Sequence, residues 1–343
     1  MESQLSLAQI LATKILPALN LKAEGELWYP KEGRIAHNGI ILTNFGEVLF
    51  RCYPKYSSKE ALGYGIERAR FEVKVLNFFA SKGLAVPVPL EFPDGNISIE
   101  IDNWFIFAYY TKPGKTLEKE DLSLNVAQKA GNLLNKIISV SQTYLPTGDE
   151  PDGDIDYIKK IINNFLNRRP DFANNAIFSD MSAYMFDNNL LPSLLVTPKG
   201  IVHGDYFFEN VLFLNNDIVG VIDFGDAYYG YLIMDIAIGS MEFSTHEDEE
   251  LDLHLFGAFI KQNREWLLRN EISFDLFKYI LVINCIRFTA HIFNLAQDSL
   301  DSEGLNEVEI DISENPYINR FYKFQETDLS KKMMQAYNLA LAT

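Results

Sequence analysis

Apolar and polar residues alternate at helical spacing along the opening MESQLSLAQILATKILPALN, and the period shortens to two over residues 27–53. There, GRIAHNGIILTNFGEVLFRCYP predicts two or more antiparallel strands joined by a turn at Asn44, Phe45 and Gly46. A helix follows in GIERARFEVKVLNFFASKG, where Ile66, Phe71, Val75, Leu76 and Phe79 form one apolar stripe and Gly83 is a C-terminal cap. VPVPLEFPDGNISIEIDNWFIFAYY predicts a Pro-punctuated connection, a turn at Asp94 and Gly95, and two more strands. The polar TKPGKTLEKEDLS at 111–123, with Pro113 and Gly114, marks a hinge. Beyond it helical periodicity dominates, over 122–142, 153–168 and from 231 onward, with an irregular Asn- and Asp-rich stretch at 171–195. Within this helical part, VLFLNN and VGVIDF predict two short strands joined by a turn at Asn215, Asn216 and Asp217. The chain therefore reads as α+β, a small antiparallel sheet with one packed helix in 1–110 and a largely helical 111–343.

Composition agrees with two such parts, since 343 residues with 48% hydrophobic side chains can bury a substantial core. The net charge of −17 argues against a nucleic-acid backbone or an anionic membrane as partner and favours cationic or zwitterionic ones. Its distribution is uneven: −1 over residues 1–111, −7 over 112–240 and −9 over 241–343, a surplus that solubility alone also explains. Cys52 and Cys285 stand in unrelated contexts, so neither a disulfide framework nor a zinc site is expected, and a reducing cytoplasm is the simplest setting. The opening segment lacks the basic and apolar regions of a signal peptide, and no apolar run reads as membrane-spanning.

The stretch IVHGDYFFENVLFLNNDIVGVIDFGDAYYG at 201–230 places His203, Asp205, Asn210, Asp223 and Asp226 among aromatic and branched apolar residues. Buried carboxylates are costly, and a metal ion or a bound phosphate would offset them. Asn210 offers a hard amide oxygen and Asp223 a carboxylate, the ligand types magnesium accepts beside phosphate oxygens and water. Asp205, five residues before Asn210, is placed to face a substrate hydroxyl, and the hairpin returns the chain at Asp223.

This order, H-x-D-x-x-x-x-N and then D-F-G after a hairpin, resembles the catalytic and metal-binding segments of the protein-kinase fold. HGDYFFENVLF, VIDFGDAYYG and YLIMDIAIG are more similar to its small-molecule branch: aminoglycoside phosphotransferases, choline kinases and type II homoserine kinases. The resemblance implies a protein-kinase-like two-lobed fold, with Asp205 as catalytic base, Asn210 and Asp223 as Mg2+ ligands, and His203 and Asp235 as structural supports. It further implies that Arg51 on an N-lobe strand meets the phosphates of ATP or GTP, held by Glu72 on the following helix, and that Ala108 and Tyr110 lie near the base. Gly33, His37 and Asn38 occupy the place of a phosphate-covering turn without a G-x-G-x-x-G.

The acceptor is less sharply written. Asp226, Tyr228, Tyr229 and Tyr231 follow the metal-binding Asp223 and are candidates to line its site or to pack the lobe core, and Tyr231 stands where relatives often carry Asp. In NCIRFTAHIFNLA, Arg287, His291 and Asn294 share one helical face, either as a charged helix edge or, as in relatives of homoserine-kinase type, with an Arg for a substrate carboxylate. The resemblance implies a kinase that phosphorylates a hydroxyl of a small amine or amino acid, homoserine-like or choline-like. Aminoglycoside phosphorylation is the alternative, and a nucleotide-binding module without turnover is the second.

Overall fold

The computed structural model describes residues 6–29, 36–55, 65–186, 189–303 and 315–342. The chain divides into two compact units, one comprising Met1–Gly114 with Val219–Gly225, the other Lys115–Ile218 with Asp226–Thr343.

The first unit is built on a four-stranded antiparallel sheet. Its strands β1 (His37–Thr43), β2 (Gly46–Pro54), β3 (Ile99–Ile101) and β4 (Trp104–Tyr110) run in the order β1-β2-β4-β3. β1 and β2 pair in register from Thr43↔Gly46 to His37↔Cys52, so the hairpin turns at Asn44 and Phe45. Alternation sends Val48, Phe50 and Cys52 to a face covered by Ile10, Leu11 and Ile15 of the opening helix α1 (Leu7–Ala18). α2 (Ile66–Ser81) buries Phe71, Val75, Leu76 and Phe79 of the stripe read from the sequence, leaves its first member Ile66 half-buried, and also buries the charged Arg68 and Glu72. Val219–Gly225 joins this unit, a difference from the sequence reading, which left it in the helical part. The Val221 N–H donates to the Ala85 carbonyl at 2.9 Å, and the Phe224 ring packs 5.5 Å from that of Phe79.

The second unit is mainly helical. α3 (Leu124–Ser141) and α4 (Ile155–Arg168) come first, with Ser123 capping α3 through its hydroxyl. The stretch expected to be irregular folds into α5 (Ala176–Phe186) and α6 (Leu191–Leu195). Phe178, Met181 and Met185 make a buried stripe, and the Asn175 carboxamide accepts the Ile177 N–H at 2.9 Å; the surrounding Asn and Asp residues hid that pattern. Two ribbons follow: β5 (Lys199–Val202) pairs with β8 (Tyr228–Tyr231), and β6 (Val211–Leu214) with β7 (Asp217–Val221). The β6–β7 turn places Asn215 and Asn216 in the left-handed region, as a tight hairpin requires.

The remaining helices are α7 (Ile233–Glu242), α8 (Leu253–Gln262), α9 (Arg264–Arg269), α10 (Phe274–Glu303), α11 (Pro316–Lys323) and α12 (Thr327–Ala342). α10 corrects one expectation, because its segment Phe274–Asp301 is long and apolar enough to cross a membrane. Here most of that segment is buried in the protein, against α4, α7 and α11.

Candidate active site

In the first unit, strand alternation puts Arg51 and Tyr53 on the same face of β2, towards Glu72 of α2. Arg51 Nε lies 3.1 Å from Glu72 Oε1, while Nη2 donates to the Tyr53 hydroxyl at 2.8 Å and lies 3.1 Å from Asp223 Oδ1. The Tyr53 hydroxyl in turn donates to Glu72 Oε2, which closes a ring of three residues, with Asp223 attached to it through Arg51. Arg51 and Glu72 are 7% and 1% exposed, so this is a desolvated pair that costs more to form than a surface bridge. Burial alone would lower the Arg51 guanidinium, but Glu72, Tyr53 and Asp223 together hold it well above its usual range. Burial, with the Glu72 carboxylate, pushes the Tyr53 hydroxyl up and keeps it a donor. Asp223 has φ +60°, an uncommon conformation for a non-glycine residue, and its side chain is half exposed with one oxygen on Arg51. A Cβ on Gly225, two residues after Asp223, would lie 3.0 Å from Arg51 Nη2 and crowd the guanidinium.

In the second unit, β5 ends at Val202 and the chain turns at His203 and Gly204 into the segment carrying Asp205. Asp235, in the first turn of α7, accepts the N–H groups of His203 at 2.7 Å and Gly204 at 2.9 Å. Burial pushes the Asp235 carboxyl up, against the pull of those N–H groups and of Arg287. The Asp205 N–H donates to His203 Nδ1 at 3.2 Å, so that nitrogen carries no proton and the buried imidazole serves as an acceptor within the turn. Asn210, in the single turn Phe208–Asn210, donates through Nδ2 to the Asp205 carbonyl at 2.8 Å and to Asp205 Oδ2 at 3.2 Å. With its amide nitrogen committed to Asp205, the remaining side-chain polar atom of Asn210 is Oδ1, an acceptor of the kind a hard cation takes. Among the described residues no group of three or more His, Cys, Asp or Glu side chains gathers in metal-holding geometry. Magnesium bound through one or two protein oxygens and substrate phosphates needs no such group, and the Asn210 amide oxygen and the Asp223 carboxylate are of the right kind.

The structure thus brings Arg51, Glu72 and Asp223 together in one unit, and His203, Asp205, Asn210 and Asp235 together in the other. It redraws several remaining expectations. Ala108 is buried and its carbonyl accepts the Leu90 N–H at 2.7 Å, whereas Tyr110 is partly exposed at the end of β4. Gly33 lies outside the described residues; His37 begins β1 with its ring 5.2 Å from Trp104, and Asn38 pairs with Arg51 in the β1–β2 register. Tyr228 and Tyr231 belong to β8 and are buried, Tyr228 completely, so they pack the ribbon and present no face to an acceptor. Asp226 is partly buried in a short turn after Gly225. Arg287, His291 and Asn294 form no solvated edge: all three are buried, with the His291 ring 5.7 Å from Tyr157 and Asn294 donating to the Ile161 carbonyl at 2.9 Å.

Two anchors escaped the sequence reading. Tyr53 stands two residues from Arg51 on one strand face, a signal the alternation contained but that any core tyrosine also gives. Tyr206, next to Asp205, is fully buried and donates to the Ala130 carbonyl at 2.9 Å, tying the segment to α3.

A small antiparallel sheet with a buried Arg–Glu pair and the D-F-G turn, and a helical unit with an Asp–Asn turn, define the kinase-like fold in its small-molecule form. The family model APH, described as the phosphotransferase enzyme family, matches residues 59–268, more than half of the chain, and the chain belongs to that family. The homoserine kinase of Neisseria meningitidis serogroup B is 40% identical over 63 residues, which cover 18% of this chain and 21% of that protein. The homoserine kinase of Pseudomonas aeruginosa is 21% identical over 218 residues, 64% of this chain and 67% of that one. With the first of these, the match spans only about a fifth of the relative's length. Among solved structures, choline kinase from Cryptosporidium parvum Iowa II superposes with a TM-score of 0.60 at 15% identity, covering 93% of each chain. Amicoumacin kinase hAmiN, in complex with AMP-PNP, Ca2+ and Ami, gives 0.59 at 12% identity, covering 96% of this chain and 92% of that one.

Proposed function

We propose that this protein transfers the γ-phosphate of ATP or GTP, with Mg2+, to a hydroxyl of a small amine or amino acid. The observation that carries the reading is the Asp205–Asn210 turn, in which the Asn210 amide nitrogen donates to both the carbonyl and the carboxylate of Asp205. In this reading Asp205 accepts the proton of the acceptor hydroxyl as its oxygen bonds to the γ-phosphorus; the β–γ bridging bond breaks and the nucleoside diphosphate leaves. Arg51, kept charged and fixed by Glu72 and Tyr53, meets the non-transferred phosphates. Asn210 and Asp223 would hold magnesium, which when bound neutralises charge on the phosphate oxygens.

Homoserine is the first acceptor to test, supported by the homoserine kinases among the relatives. The acidic surplus beyond residue 111 is compatible with a cationic or zwitterionic acceptor. The test is release of ADP or GDP from Mg·ATP or Mg·GTP in the presence of homoserine, hydroxylysine, choline, ethanolamine or aminoglycosides. Stimulation by one acceptor over the background hydrolysis rate is expected. No stimulation by any of them with either nucleotide, in protein shown to bind nucleotide, would overturn the catalytic reading in favour of a binding module.

A further inference from the structure

Arg287 reaches the Asp205 segment from a helix more than eighty residues further along the chain. It is 1% exposed, and its guanidinium carbon lies 5.7 Å from the ring centre of Tyr228 and 5.2 Å from that of Phe288. From this aromatic-walled slot Nη1 donates to the carbonyl oxygen of Gly204. That carbonyl belongs to the peptide bond linking Gly204 to Asp205, and the N–H of the same peptide donates to His203 Nδ1. The preceding peptide is held as well, since the Gly204 N–H donates to Asp235. Gly204 therefore lies between a buried anion on its N–H side and a buried cation on its carbonyl side, each aligned with the peptide dipole it meets. Its φ of +81° suits glycine, and a Cβ there would lie 2.6 Å from the Asp226 carbonyl oxygen and 3.1 Å from Arg287 Nη2.

We propose that Arg287 is a positioning residue that fixes the plane of the Gly204–Asp205 peptide, and through it the direction of the Asp205 carboxylate, instead of binding a carboxylate of the acceptor. The catalytic part of this inference rests on the kinase reading above; the structural part does not. A hydrogen bond from a charged donor to a buried carbonyl is stronger than a neutral one, and its loss leaves that oxygen unpaired. Lysine would keep the charge but neither the planar fork nor the stacking between Tyr228 and Phe288.

The test compares full-length wild type with Arg287→Met and Arg287→Lys. The first measurement is amide hydrogen exchange of a peptide spanning 203–207, with peptides from α3 and α8 as internal references. The inference expects exchange at 203–207 to rise on the order of tenfold in Arg287→Met while the references hold. In an assay with whichever acceptor supports turnover, kcat should fall on the order of a hundredfold at unchanged acceptor KM and nucleotide affinity. Arg287→Lys should recover part of the protection and part of kcat. Unchanged protection at 203–207 in both variants would overturn the inference, as would an acceptor KM raised tenfold or more at constant kcat, the mark of a lost acceptor contact. If Arg287→Met does not fold, the same comparison made on Arg287→Lys decides. If no acceptor supports turnover in wild type, the kinase reading fails by itself, and the exchange measurement still decides whether Arg287 holds the turn.

Discussion

At the scale of single residues, the Asp205 carboxylate is the group whose chemistry is most exposed to test. Asp205→Asn keeps shape and hydrogen-bonding capacity but cannot take the proton, so transfer should fall by about a hundredfold or more while nucleotide affinity stays near wild type. Steady-state kinetics beside a nucleotide-binding titration checks this; near-normal turnover would remove Asp205 from the role. The contact between Asp205 and Asn210 was legible because their side-chain chemistry and five-residue spacing carry the signal themselves. Tyr53 was not, since a tyrosine on an aromatic strand looks the same whether it fills a core or bridges an arginine to a glutamate. Arg287 was noticed but given a different partner: a helical face gives no hint that its contact is a backbone carbonyl from a turn far earlier in the chain.

Elements were legible where period and punctuation agreed. The β1–β2 hairpin, α2 and the β6–β7 turn follow from alternation, an apolar stripe and paired asparagines. α5 was missed because its short stripe of Phe178, Met181 and Met185 is surrounded by residues that favour turns. The β5–β8 ribbon was missed because its partners are joined by a long excursion through the site, and pairing at that distance leaves no local trace. The loop between α3 and α4 carries its own pH-sensitive device. Although burial pushes its carboxyl up, Glu150 accepts the N–H groups of Thr147 and Gly148 at 2.7 and 2.8 Å, and these hold it down at about 2. A folded value below the unfolded one means the stabilisation is complete above the ordinary carboxylate range and is lost as pH falls towards about 2. Melting temperatures of wild type and Glu150→Gln should therefore differ most near neutrality and converge as pH is lowered through that interval; a difference constant with pH would count against the Glu150 contacts.

At the scale of the whole chain, a small antiparallel sheet followed by a mostly helical remainder was legible from the change of period. The transfer of Val219–Gly225 to the first unit was not, because it depends on packing at Phe79 and Ala85. The second unit is tied by charges that the sequence scattered widely. Arg320 of α11 pairs with Glu242 of α7 at 2.7 Å and with Glu249 of the following loop at 2.7 Å, and Lys119 also bonds to Glu249. Arg320 and Glu242 are both buried, so Arg320→Met should cost about 3–5 kcal/mol by leaving Glu242 without its cation, measurable as a lower urea midpoint. A midpoint unchanged within error would show that Glu242 is compensated by other groups.

The position of Arg287 also bears on how this chain can be cut. The segment shared with the family ends at residue 268, before α10 begins, and it contains Glu72, Asp205, Asn210 and Asp223. A fragment ending there would keep every one of those side chains and lose the cation on the Gly204 carbonyl, together with the long helix that covers α4 and α7. On the Arg287 proposal, a piece able to hold Asp205 in place has to extend beyond the shared segment, at least as far as Arg287 in α10.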